Sequence, residues 1–280
     1  TSRGSYEQKL RALDPNVSAV FVDMLKRAGV VEGDLVALGF TGSFPLMNAG
    51  VMIAVEALGA VPVSIPSVGA SMWGANDPNM TWLDMESALE REGIISHRSV
   101  AASLGGSNDM GRGLPPEGRS LIRDAFERND VPLIDEPSLD ESIDRRMEIF
   151  REAAAGRDYR VYVNVGGGLA SLGSSQTGNL IKSGLWRNLP TKNFPRRGVL
   201  VRMAENGVPI IHVPKADDFI ERYDLSPEPV PLPAVGTGGV FYRDRYDVPL
   251  AAVFAVLYAF AIFVVVRIDI KHYLFRASRR

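Results

Sequence analysis

Apolar residues recur at helical spacing through NVSAVFVDMLKRAGV (residues 16–30) and the run stops near Gly29, which predicts a helix. The rhythm then changes. Leu35–Phe40 (LVALGF) and residues 60–65 (AVPVSI) are short, almost continuous apolar runs of the kind that make buried strands, and each gives way to a loop of small residues. Helices are predicted at PLMNAGVMIAVEALG, opened by Pro45, at MTWLDMESALEREG, ended by Gly93, and at RSLIRDAFERN. Another is predicted at SLDESIDRRMEIFREAAAG, a charged surface helix capped by Ser138. Residues 99–104 (SVAASL) lead into the long loop GGSNDMGRGLPPEG, and VPLI is a short strand. In the second half RVYVNV is a strand that enters GGGLASLGSSQTG, and VLVRM and PIIHV read as strands around the turn ENG. Strand, polar loop, helix and strand repeated with short connections predict an open, mostly parallel, Rossmann-like α/β sheet.

One segment breaks this pattern. Val248–Val266 carries no charge over 19 residues, enough at 1.5 Å per residue to approach the ~30 Å hydrocarbon layer, and its only polar side chain is Tyr258. It reads as a C-terminal transmembrane helix. The tail after it, 267–280, holds five basic residues against Asp269, so by the positive-inside bias that end is expected in the cytoplasm and the main domain outside. An export signal or a second span upstream of Thr1 is then expected. The domains read as a helical segment at 1–30, an extracytoplasmic α/β domain at 31–225, a Pro/Gly-rich linker at 226–247, the span at 248–266 and the basic tail.

Composition narrows the chemistry. Of 280 residues 46% are apolar, 31 are basic and 33 acidic, an ordinary mix that argues against a nucleic-acid-coating or disordered chain. With no cysteine there is no disulfide, thiol catalysis or Cys-based metal site. Residues 1–247 hold 26 basic and 32 acidic groups, a net charge of −6. Charge is also segregated: Glu117–Asp158 contains twelve acids, whereas Tyr159–Ala204 contains none and seven cations, Arg160, Lys182, Arg187, Lys192, Arg196, Arg197 and Arg202. Either these cations form a local patch for an anion or they pair with carboxylates elsewhere in the fold.

In an open α/β sheet the ligand site lies beyond the carboxyl ends of the strands, near helix N-termini. Four such ends are rich in small polar residues: Thr41, Gly42 and Ser43; Ser67 to Asn76, including Ser71; Gly105 to Asn108 with Gly106; and Gly166, Gly167 and Gly168. Glycines admit a ligand to the backbone, and the helix dipole favours carboxylate or phosphate, so Thr41, Gly42, Ser43, Ser71, Gly106, Asn108, Arg112, Gly167, Gly168, Arg196 and Arg197 are the candidate binding residues. Nucleotide readings fail on their own rules. Ser174 stands where a phosphate loop needs Lys, and no acid stands about 20 residues after the Gly166–Gly168 turn to hold a ribose, so no cofactor is expected. No histidine and carboxylate cluster has metal-ligand spacing. Candidates for catalysis are Ser43 and Ser107 as nucleophiles with Asp109 or His97 assisting, although no G-x-S-x-G elbow occurs. His212 lies in an apolar strand, where a structural role is expected, and Glu56 sits mid-helix on a chiefly apolar surface.

The segments GDLVALGFTGSFPLMNAGVMIAVEALGA, PVSIPSVGASMWGANDPNMTWLDME and VYVNVGGGLASLGSS, followed by a membrane helix, resemble the poly-γ-glutamate system protein family over roughly residues 15–245. The resemblance implies a membrane-anchored accessory of poly-γ-glutamate synthesis, export or anchoring. It implies as partners the membrane ligase, its small hydrophobic subunit, the anionic polymer and the bilayer, with no nucleic acid. It carries over no catalytic residues, and a hydrolase or amide transferase acting on the polymer, or a purely structural subunit, stand as alternatives.

Overall fold

The computed structural model describes residues 3–190, 192–226, 230–242 and 247–268. The chain divides after Phe241 into two compact units. In the first, the chain runs through α1 (Tyr6–Arg11), α2 (Val17–Ala28), β1 (Leu35–Phe40), α3 (Pro45–Ala57) and β2 (Val61–Ser64). A small hairpin, β3 (Asn76–Asp77) and β4 (Met80–Thr81), leads into α4 (Trp82–Arg91). Then come β5 (Ala102–Ser103), α5 (Pro116–Asn129), β6 (Leu133–Ile134), α6 (Leu139–Ala154) and β7 (Tyr159–Val165). Short elements follow: α7 (Leu169–Leu172), α8 (Ser175–Leu180), β8 (Gly184–Trp186), α9 (Val199–Glu205), β9 (Ile210–Val213) and α10 (Asp217–Tyr223).

The central sheet has five strands in the order β2-β1-β7-β9-β8. All its pairings are parallel except β8 against β9. Beyond the strand ends, Ser67 bridges to Thr41 on one side and to Ser103 on the other, which brings the parallel β5–β6 pair alongside β2. The chain therefore builds outward from β1 through β2 in one direction and through β7 and β9 in the other, and the order reverses between β1 and β7.

Both faces of the sheet are covered, as an all-apolar strand such as β1 requires. Its residues alternate: Val36, Leu38 and Phe40 join one core with Phe21, Leu25 and Met52, while Leu35 and Ala37 join a second core with Ile143, Phe150 and Leu200. Strand β7 does the same, with Val161, Val163 and Val165 in the first core and Tyr162 in the second. Local signals set the helix ends: Gly29 closes α2 at φ 88°, and the Ser138 hydroxyl accepts from the Glu141 amide at 3.2 Å to cap α6.

Two expectations are corrected. VLVRM is not a strand but lies in α9, whose Val199, Leu200, Val201 and Met203 are buried in the second core. A short apolar run fits either element, and here Gly198 opens a helix that returns the chain to β9. The second miss is β8, whose antiparallel edge pairing has no alternating signature within three residues.

Part of the Pro/Gly stretch belongs to the first unit. The Asn16 amide donates to the Ala234 carbonyl at 3.1 Å, and its oxygen accepts from the Gly236 amide at 2.9 Å. The second unit contains α11 (Val248–Ile268), whose residues Val248–Arg267 have a mean hydropathy of 2.6 and are long and apolar enough to cross a membrane. The rest of the basic tail, with His272, lies outside the described residues.

Candidate functional site

The carboxyl ends of β1, β2, β5 and β7 empty into one cleft of about 360 Å³. Each of the four small-residue loops contributes to its wall: Thr41 and Ser43 from the first, Ser67 and Ser71 from the second, Gly106 and Ser107 from the third, Gly167 and Gly168 from the fourth. The cleft sits where the strand order reverses, the place at which connections diverge and leave a crevice.

The loops are tied to one another by hydrogen bonds. The Gly42 amide donates to the Ser67 carbonyl at 3.0 Å, and the Ser71 amide donates to the Ser43 hydroxyl at 3.1 Å. The Asn48 side chain, one turn into α3, donates to the Thr41 carbonyl at 2.8 Å. Behind Ser43, the ammonium of Lys9 lies 4.0 Å over the Phe44 ring and donates to the Ser43 carbonyl. Burial pushes Lys9 down to about 8. Gly166 takes φ 85°, and an added Cβ would stand 2.8 Å from the Thr41 hydroxyl, so only glycine allows the first and fourth loops to approach this closely.

The third loop is pinned from below. Asp109 is buried with φ 61°, and both its carboxylate oxygens are filled. Oδ1 accepts from Ser67 at 3.0 Å and Ser103 at 2.7 Å, while Oδ2 accepts from Ser142 at 2.6 Å and from the Arg146 guanidinium at 3.1 Å. Arg146 also donates to the Ile65 carbonyl at 2.7 Å. This buried network fixes the floor beneath Ser67 and the height of the Gly106–Arg112 rim.

Seven of the eleven expected binding residues line the cleft: Thr41, Ser43, Ser71, Gly106, Arg112, Gly167 and Gly168. Gly42 and Asn108 do not. Gly42 packs beneath the second loop, where a Cβ would meet the Val68 carbonyl at 2.4 Å, and Asn108 turns the backbone at φ 56°. Arg196 and Arg197 are also absent from the lining, because they pair with Asp140 at 2.9 Å and Glu205 at 3.5 Å. Arg160 pairs with Asp34 and Arg202 with Asp144, so most of the arginines in the acid-free stretch meet carboxylates from elsewhere in the fold. Arg112 has no ion pair among the described residues, and no acid lines the cleft. The cleft is thus a neutral polar cradle with one cation at its rim.

Of the catalytic candidates, Ser43 and Ser107 line the cleft. Asp109 is consumed by its four donors. His97 lies before β5, with Nδ1 2.8 Å from Glu56 near the end of α3, at the opposite edge of the sheet from the cleft. Glu56 there accepts from the amides of Ser96 and His97 and closes a turn. His212 is buried beside Asn164, its Nδ1 3.0 Å from the amide nitrogen, and burial drives it down to about 4.

The sequence reading did not single out Arg146, Ser142 or Ser103. The signal for the first two was present: Leu139, Ser142, Ile143, Arg146 and Phe150 form the buried stripe of α6, so a charge sits where the period demands an apolar residue. Fold and cleft together define an α/β protein with an open cleft, lined by small polar residues, at the carboxyl edge of its mostly parallel sheet. Comparisons with protein-family models, curated proteins and solved structures found no match.

Proposed function

We propose that the chain is a membrane-anchored, extracytoplasmic accessory subunit of a poly-γ-glutamate synthesis or export system, held by α11 and receiving carboxylates of the anionic polymer in this cleft. Strands laid outward from β1 on both sides, with the separate β5–β6 pair bridged beside β2 through Ser67 and Ser103, support a Rossmann-like reading of the sheet, to which β8 adds an antiparallel edge. The observation that carries the reading is the convergence of four small-residue loops on one acid-free cleft that is also lined by Arg112, a cation with no ion pair among the described residues. Serine and threonine hydroxyls, exposed amides and a guanidinium are suited to carboxylate oxygens. The net charge of −6 over residues 1–247 repels a polyanion at long range, so binding rests on these short-range contacts. Binding is preferred to hydrolysis or amide transfer because Asp109 is saturated and His97 is remote.

The test is binding of poly-γ-glutamate to the full chain in neutral-lipid nanodiscs, read against salt. Arg112→Ala should weaken binding about tenfold, as loss of a charge-assisted contact does, whereas Arg196→Ala with Arg197→Ala should leave it unchanged. No binding by the native chain at any salt concentration overturns the reading. Co-purification with the ligase that is lost when Val248–Val266 is replaced by an unrelated span would favour a structural subunit if polymer binding is absent.

A further inference from the structure

A second cleft of about 750 Å³ lies across the β7–α7 loop from the first, and Gly167 lines both. Gly167 puts no side chain between them, and a Cβ built there would meet no atom within 4 Å. Lys182, Lys215 and Arg222 line the second cleft together with the acids Asp218 and Glu221. Neither lysine has an ion pair among the described residues, whereas Arg222 donates to the Ser183 carbonyl at 3.3 Å and Asp218 accepts from the Ser183 hydroxyl. Along the two clefts taken together the cations outnumber the acids, with Arg112 at one end and the lysines at the other.

We infer that the two clefts form one groove over Gly167, and that its ligand is a linear chain of carboxylates lying across both rather than a small acid held in one. The inference rests on the reading of the first cleft as a carboxylate receiver. Volumes of about 360 and 750 Å³ are roughly 7 and 9 Å on a side, and a γ-linked glutamate chain, with five backbone bonds per residue, extends about 6 Å per residue, so on the order of three residues occupy both. A ligand of that length gains the second set of contacts without a second loss of translational freedom.

Calorimetric titration of the full chain in nanodiscs with a γ-linked glutamate dimer and a γ-linked glutamate decamer tests this. The native chain should bind the decamer more tightly. Gly167→Leu, which raises a wall between the clefts, should lower decamer affinity about tenfold, and so should the pair Lys182→Ala with Lys215→Ala, which lies outside the first cleft and should leave dimer affinity within about twofold. A longer ligand has more binding registers, but native and variant share that statistical gain. If Gly167→Leu also loses the dimer, it has damaged the first cleft, and the lysine pair decides. Native dimer binding that depends on Arg112, with decamer affinity unmoved by the lysine pair, overturns the continuous groove and leaves the first cleft standing. Failure of the native chain to bind either oligomer overturns both.

Discussion

Arg146 of α6 and Asp109 of the third strand-end loop are joined at 3.1 Å with 4% and 1% of their side chains exposed. A helix on one face of the sheet thereby holds a loop that shapes the cleft. Removing one partner leaves a buried charge uncompensated, so Arg146→Met or Asp109→Leu alone should destabilise the protein by about 3–5 kcal/mol. The double replacement should cost less than the sum of the two, since neither charge is then stranded. Urea denaturation of the three variants measures this, and strict additivity would contradict it.

Two buried groups should oppose each other in the pH dependence of stability. Burial raises Glu86 from 4.5 to about 7, against a 2.8 Å hydrogen bond from the Ser99 hydroxyl that favours the anion. The folded state keeps that proton where the unfolded chain has lost it, so stability falls as pH rises from about 4.5 to about 7. His212 is the reverse, depressed by burial from 6.5 to about 4, so its contribution is present above 6.5 and is lost as pH falls toward 4. Each effect is about 3 kcal/mol, and between pH 4.5 and 6.5 they largely cancel. Glu86→Gln should therefore unmask a rise in stability with pH, and His212→Gln a fall. Denaturation midpoints across this range decide; profiles parallel to the native one would refute the assignment.

Close packing at the first loop gives a third expectation. At Gly42 a methyl group would collide with the Val68 carbonyl at 2.4 Å, and backbone rather than a flexible side chain must yield. Gly42→Ala should cost about 1–3 kcal/mol and also weaken polymer binding, because the shift carries Thr41 and Ser43 with it. Thermal melting and titration on one sample check both effects.

The fourth concerns α11. A chain ending at Phe241 should leave the membrane fraction, whereas one in which Val248–Val266 is replaced by an unrelated apolar span of equal length should remain there. Fractionation after carbonate extraction is the measurement; retention of the shortened chain in the pellet would mean that α11 is not the anchor.

Much of this was legible in the residues. The helical period of α2, Pro45 opening α3 and the apolar runs of β1 and β7 follow from spacing alone, and with strands and helices in alternation the small-residue loops had to collect at one edge. Less legible was anything set by partners distant in sequence. Arg196 stands in an acid-free stretch, but Asp140, more than 50 positions earlier, reaches it through the fold, and Arg202 likewise meets Asp144. Asp109 stands in the third loop as a candidate to assist a serine nucleophile, but Ser142 and Arg146, more than 30 positions away, take up its carboxylate. The run VLVRM failed for a different reason, because three consecutive apolar residues carry no period.

The third loop has a bearing on ancestry. Between Gly105 and Gly113 the backbone takes positive φ at Gly105, Gly106, Asn108, Asp109, Gly111 and Gly113, a path that few other residues can follow. Drift elsewhere in the chain can erase overall similarity, yet this spelling, paired with a serine and an arginine four apart on the helix beneath it, should persist in any descendant that kept the cleft. It is a fingerprint by which distant kin could be picked out of genomes.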